Sequence, residues 1–437
     1  MTLLPLKNVR LPSHSCGICF YNSIIYTFVL NNKIDFKLKG MKRLFLLSVA
    51  FVGIQMGYSQ VKYPIVDTGQ KDCYSDNGKI EMPKPGETFH GQDACVQGNQ
   101  PKYRDNGDGT VTDLVTGLMW EKNMGEKLTF EEAKKKAESL RTGGYDDWRI
   151  PTVKELYSLI QFTGQSMGER AVKPFIDTDY FDQPIGDRSK GEREIDVQTW
   201  TSTVYKGTTM NGQTTIFGVN FVDGRIKGYS LKKRGEDNKM YFRMVRGNKG
   251  YGKNRFVDNG DGTVTDYATG LMWQKADNGK LYDWKDALAY ADTLSLAGYT
   301  DWYLPNAKEL ESIVDYDRSP SYTNSPAISP LLECTLHNLY DGVNDYAFYW
   351  TSTTHLDGHN PYERAVYVCF GHAWGREPRT GELCDVHGAG AQRSDPKSAN
   401  PSDVPFFFGP QKDMQCVYMG HRTKRILRIE RKEYQTY

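Results

Sequence analysis

The chain repeats itself, and this constrains its fold more than any other feature. "DNGDGTVTDLVTGLMWEK" begins at Asp105, and "DNGDGTVTDYATGLMWQK" begins at Asp258. Trp120 matches Trp273 at an offset of 153. "GGYDDWRIPTVKELYSLI" from Gly143 matches "AGYTDWYLPNAKELESIV" from Ala297 at 154, and "TWTST" from Thr199 matches "YWTST" from Tyr349 at 150. Offsets that drift so little mean two copies of one fold. The first copy spans residues 101–247. The second spans residues 254–437, with an insertion at about 371–420. A length of 437 residues suits two middling domains with a leader. Each half is expected to collapse around its own paired helices and curled sheet.

Each copy reads the same way locally. In the opening phrase, Asn106, Gly107, Asp108 and Gly109 tolerate positive φ beside the β-prone "TVT", which predicts strand, turn, strand, turn, strand. Thr129 with Glu132 forms a capping box, and Asp283 with Asp286 forms a looser one. Phe130, Ala133, Ala137 and Leu140 then share one helical face, as do Trp284, Ala287, Ala291 and Leu294. A short buried strand at Trp148 or Trp302 leads into a second helix, capped by Thr152 and Glu155 or by Asn306 and Glu309. Strands fill the rest, including "QTWTST" and "FYWTST". The order predicts an α+β fold with two helices on a twisted antiparallel sheet and long irregular loops.

The leader predicts export. Met41-Lys42-Arg43 precedes the apolar run Leu44 to Ile54, and Gly57-Tyr58-Ser59 places small residues before a cut that leaves Gln60. Residues 41–59 are read as a signal peptide, residues 1–40 as an upstream extension outside the native start, and residues 60–100 as a Pro/Gly-rich prologue. No later run is long and apolar enough for a membrane helix, so the expectation is a secreted, cell-surface or periplasmic protein. A net charge of +1 gives no reason to expect nucleic acid as a partner. In an oxidising compartment, Cys73 and Cys95 are expected to pair and close the prologue. Cys334, Cys369, Cys384 and Cys416 allow three pairings, among which the sequence does not choose.

DNGDGTVTD, TGLMW, DWRIPT or DWYLPN with KEL, and WTST together resemble the C-terminal domain of bacterial collagen-like adhesins, the Lcl C-terminal family. The helix, "RIPT" or "YLPN" and second helix also resemble C-type lectin-like folds, including formylglycine-generating enzymes. The resemblance implies two tandem C-type lectin-like domains with adhesion to glycans or surface proteins. The residues that carry it are turn, cap and core residues, so they identify the scaffold and not the ligand.

Chemistry is sought where the copies diverge. Tyr346, Asp357, Tyr362, Glu363, Arg364, His372, His387, Gln392 and Arg393 offer rings and hydrogen-bonding groups suited to sugar recognition. Cys369 and His372, with Cys384 and His387, share a C-x-x-H spacing open to zinc. Asp105, Asp108, Asp258 and Asp261 are calcium candidates, although the phrase places glycine where an EF-hand needs ligands. A turn scaffold explains them better. No G-x-S-x-G elbow, H-E-x-x-H helix or phosphate loop is present, so the expectation is a binding protein and not an enzyme. An extracellular enzyme on the formylglycine-type scaffold and a structural part of a fimbrial assembly are the alternatives. The sequence leaves homo-oligomerisation open.

Overall fold

The aspartate–glycine phrase builds the same three-stranded meander twice. In the computed structural model β1 (Tyr103–Asp105), β2 (Thr110–Asp113) and β3 (Met119–Glu121) form the first meander. The structure describes residues 63–398 except 167–170, 211, 234, 339–342 and 377–381, together with 416–417 and 421–422. The extension, the signal peptide and Gln60 lie outside the described residues, as does the side chain of Cys416.

The first copy continues with α1 (Phe130–Ser139), α2 (Val153–Tyr157), β4 (Thr199–Val204), β5 (Thr215–Asn220), β6 (Arg225–Ser230) and β7 (Val245–Arg246). The second copy follows the same plan. Its meander is β8 (Phe256–Asp258), β9 (Thr263–Asp266) and β10 (Leu271–Gln274), followed by β11 (Leu281–Tyr282). The helices α3 (Trp284–Thr293), α4 (Ala307–Ser312) and α5 (Pro320–Thr323) come next. They lead to β12 (Leu336–Asn338), β13 (Asn344–Tyr346), β14 (Phe348–Thr354) and β15 (Arg364–Cys369). The chain then forms β16 (Trp374–Arg376), β17 (Leu383–Asp385), β18 (Gln392–Pro396), β19 (Cys416–Val417) and β20 (His421–Arg422).

The repeated words have physical jobs. All three capping boxes expected from the sequence form, at Thr129, Thr152 and Asn306, and Asp283 accepts from the Asp286 amide. "WTST" is an irregularity in the sheet put to use. Trp200 and Trp350 fill the core, and their indole N–H groups donate to the Leu128 and Tyr282 carbonyls. Thr201 and Thr351 donate across the sheet to the Phe217 and Val366 carbonyls. The Ser202 and Ser352 amides donate to the carbonyls of Pro151 and Pro305. Thr203 and Thr353 accept from the first amides of α2 and α4, at Val153 and Ala307. Each motif therefore ties the sheet to the N-terminus of the second helix, where unpaired amides need acceptors. That helix is shorter than its apolar run: α2 ends at Tyr157, and Leu159 and Ile160 are buried beyond it.

The halves do not collapse separately. The described residues all fall in one compact unit. The central sheet runs β11-β19-β14-β15-β18-β6-β5-β4, so it passes from one copy into the other where β18 meets β6. These are equivalent strands of the two repeats, and they pair antiparallel with Gln392 opposite Ile226. On either side the order mirrors itself, as expected of a twofold-like arrangement. The meanders mirror each other too: β7 closes the first against β3, and β20 closes the second against β10. The largest apolar cluster mixes Trp120, Leu156 and Phe217 of the first copy with Trp273, Leu310 and Tyr349 of the second. Only the first helix of each copy keeps a cluster of its own, around Trp200 for α1 and around Trp350 for α3.

The prologue is also better anchored than its composition suggests. The Gln70 side chain donates to the carbonyls of Phe162 in one copy and Thr354 in the other. Asp93, fully buried, accepts from Thr68 and Thr353.

Two lysines cross the seam reciprocally. Lys154 Nζ donates to the Ser312 carbonyl at 2.6 Å, and Lys308 Nζ donates to the Ser158 carbonyl at 2.8 Å. Each lysine lies in its own second helix and caps the end of the other copy's second helix, where carbonyls lack partners. Burial pushes the Lys308 ammonium down to about 7, against the pull of Asp67, Asp113 and Asp93. An apolar residue here would strand the Ser158 and Asp67 carbonyls. Lys308→Met is therefore expected to lower the unfolding free energy by about 2–4 kcal/mol, read by urea denaturation. Because the folded pKa of Lys308 lies below the usual lysine value, the unfolded chain binds more protons above pH 7. This group makes stability rise from about pH 7 towards 10.5, and the methionine variant should flatten that rise.

Candidate functional site

The calcium candidates are occupied by the turns themselves. Asp105 accepts from the Gly107 amide and Lys122, and Asp108 accepts from the Thr110 amide and hydroxyl. Asp258 accepts from the Gly260 amide and Lys275, and Asp261 accepts from the Thr263 amide and hydroxyl. Gly107 and Gly109 adopt the positive φ angles (76° and 85°) that the turn demands. The phrase works as a scaffold in both copies.

The zinc candidates do not converge. Among the described residues no group of three or more His, Cys, Asp or Glu is placed to hold a metal ion. Cys369 is buried in β15, where burial pushes its thiol pKa up. Cys384 lies in β17 opposite Gly375. His387 is half-buried beside Arg393, with 3.4 Å between its Nδ1 and a guanidinium nitrogen.

Of the proposed sugar-facing residues, four belong to the framework. Asp357 is buried in an ion pair with Arg225 of the first copy and accepts from Ser166 at 3.0 Å. Burial opposes its charge, but Arg225 wins and holds the carboxyl well below the usual range. Arg393 is fully buried and donates to Tyr367 Oη and to the carbonyls of Ala373 and Trp374, which fixes the loop after β15. Gln392 sits in the seam, and the His387 carbonyl accepts from Gly228. These four hold loops in place through the contacts given. Tyr362 stacks on Tyr74 of the prologue with ring centroids 5.7 Å apart. Glu363 and Arg364 form a local 3.5 Å ion pair.

His372 and Tyr346 meet at the outer loops, and here the structure adds residues that the sequence reading missed. Asp345, in β13, is buried, and its Oδ2 accepts from His372 Nδ1 (2.9 Å), the His372 amide (2.9 Å) and Trp374 Nε1 (2.7 Å). Its Oδ1 accepts from the Tyr346 amide. The His372 and Trp374 rings lie 4.7 Å apart. His372 Nε2 reaches Ser321 Oγ at 2.6 Å, and Tyr322 beside it is 67% exposed. One buried carboxylate thus orients an imidazole and an indole at the surface. Gly371 is required for the approach, because a Cβ there would lie 2.4 Å from the Tyr346 carbonyl. The repeats offered no signal for Asp345, since at the offset set by WTST its counterpart is Ile195.

Burial works against a charged His372, but the hydrogen bond and charge of Asp345, with the charge of Asp385, hold its pKa above the ordinary histidine value. This interaction stabilises the fold below that value and fades as pH rises through the raised pKa. Proton-detected titration of the His372 ring should therefore give a midpoint above 6.5, and Asp345→Asn should bring it below 6.5.

The sequence model of the Lcl C-terminal domain matches residues 109–246 and again residues 262–383. No curated protein and no solved structure matches the chain. No helix of the described residues is long and apolar enough to cross a membrane. The two matches together span more than half of the sequence and coincide with the two copies of the fold, so the chain belongs to the Lcl C-terminal domain family.

Proposed function

We propose that this chain is an exported, surface-associated binding protein that recognises glycans through the outer loops of its second copy. The observation that carries the reading is the array around Asp345, which presents His372 and Trp374 at fixed angles beside Tyr346 and the exposed Tyr322. Aromatic faces next to oriented hydrogen-bonding groups suit sugar rings, which have apolar faces and polar edges. Membership of the Lcl C-terminal family supports an adhesin-like role, and a C-type lectin-like scaffold accords with ligand-facing loops set on a mixed helix and sheet frame.

A glycan array probed with residues 60–437 tests the reading. Binding is expected to fall about tenfold or more in Tyr322→Ala and in Trp374→Leu, with thermal melting unchanged for the former. It should persist in chelator, because the turn aspartates already have partners. An array without hits, alongside retention on intact cell surfaces that protease treatment abolishes, would favour a protein ligand.

Export also accords with the prologue thiols. Cys73 and Cys95 Sγ stand 3.9 Å apart as free thiols. The hydrogen bond from Cys73 chiefly brings the Cys95 thiol down to about 6, against its partial burial. A thiolate formed so readily and so close to its partner is set up for oxidation. Peptide mass spectrometry of chain recovered from outside the cytoplasm should find Cys73 joined to Cys95. Two alkylatable thiols at these positions would count against it.

A further inference from the structure

We propose that Ser321 is an activated nucleophile and that this chain cleaves short-chain carboxylic esters at its outer loops, an activity beyond the binding role above. A serine touching a histidine is common on protein surfaces. Here the histidine is itself oriented from its other ring nitrogen by a buried carboxylate. Ser321 Oγ lies 2.6 Å from His372 Nε2, and His372 Nδ1 lies 2.9 Å from Asp345 Oδ2. The order nucleophile, base, orienting acid is that of an acyl-transfer triad, which is recognised by geometry and not by position in the chain. The three residues come from α5, the loop after β15 and β13.

The environment fits those roles. The Asp345 carboxylate accepts the Nδ1 proton, which leaves the Nε2 lone pair facing the serine hydroxyl. The indole of Trp374 and the His372 amide hold the same carboxylate oxygen in place, so the imidazole is not free to turn away. Ser321 is exposed and Asp345 buried, which puts the nucleophile in solvent and the orienting acid out of it. Ser321 and its neighbour Tyr322 are exposed, so an ester carbonyl reaches the hydroxyl from solvent.

In the reaction, Ser321 Oγ attacks the ester carbonyl carbon while its proton passes to His372 Nε2. The tetrahedral intermediate expels the alcohol oxygen, which takes that proton and leaves an acyl-serine. Water then attacks the acyl carbon and gives a proton to His372 Nε2. The serine oxygen departs and recovers the proton, releasing the carboxylic acid. Ser321 and His372 are the catalytic residues, and Asp345 is a positioning residue.

A fluorophosphonate probe tests this on the purified residue 60–437 chain, since the serine displaces fluoride from phosphorus with loss of its proton to the same base. The probe is expected on Ser321 by peptide mass spectrometry, absent from Ser321→Ala, and slowed about a hundredfold in His372→Ala. Thermal melting of Ser321→Ala, a change at an exposed hydroxyl, checks that the fold persists. Asp345→Asn should shift the pH profile of labelling downward, a change that loss of a mere brace would not produce; Asp385 is the other carboxylate acting on the imidazole. Absence of label on Ser321 in folded wild-type chain, or equal labelling of Ser321→Ala, overturns the proposal. Glycan binding that survives in Ser321→Ala, while labelling is lost, supports it and leaves the binding role intact.

Discussion

An open sheet edge is the problem that this fold solves, and its solution joins the two copies. Each repeat builds three antiparallel strands side by side and ends on one whose outer side has no partner from its own copy. Exposed edges invite pairing with any passing strand. Here β6 and β18 cover each other, and the two copies share the largest apolar cluster beneath them. The prologue seals the junction, since Gln70 bonds to backbone of both copies.

The seam is polar as well as apolar, and the cost of that polarity explains its form. A buried ammonium is unfavourable unless it meets acceptors. Lys308 meets the carbonyls of Ser158 and Asp67; Lys154 meets those of Ser312 and Gly252 and the Asn254 side chain. Arg225 meets Asp357 from the opposite copy. Each charge therefore has its full set of acceptors only when both copies are in register, and a misaligned seam would leave Lys154, Lys308 and Arg225 each short of a partner. Such interactions select one arrangement more than they add net stability. Glu311, pushed up to about 7 by burial despite Lys154 and Tyr316, belongs to the same balance.

Much of this was legible in the residues, though unevenly. Turn and cap chemistry is local, so the Asp-Gly phrases, the capping boxes and the α+β order could be read from spacing alone. The role of the glutamates as caps followed in the same way. The joining of the repeats could not be read, because periodicity within a copy says nothing about which copy it packs against. A hint existed in Lys154 and Lys308, the matched lysines of the two KEL segments. At the outer loops, His372 and Tyr346 stood out by residue type. Asp345, Trp374 and Ser321 did not, since they meet only after the chain has folded back on itself. Asp357, Gln392 and Arg393 show the converse: polar residues in an irregular segment that serve as internal struts.

The mirrored seam has a consequence for where such a protein can work. Two identical subunits associating through this surface would come apart on dilution, as any bimolecular complex does. Covalent linkage turns that encounter into an intramolecular one with a high and constant effective concentration. One half can then keep the joint while the loops of the other drift in sequence, free of the demand that both partners change together. Diluted without limit, the molecule retains its dimer-like interior all the same.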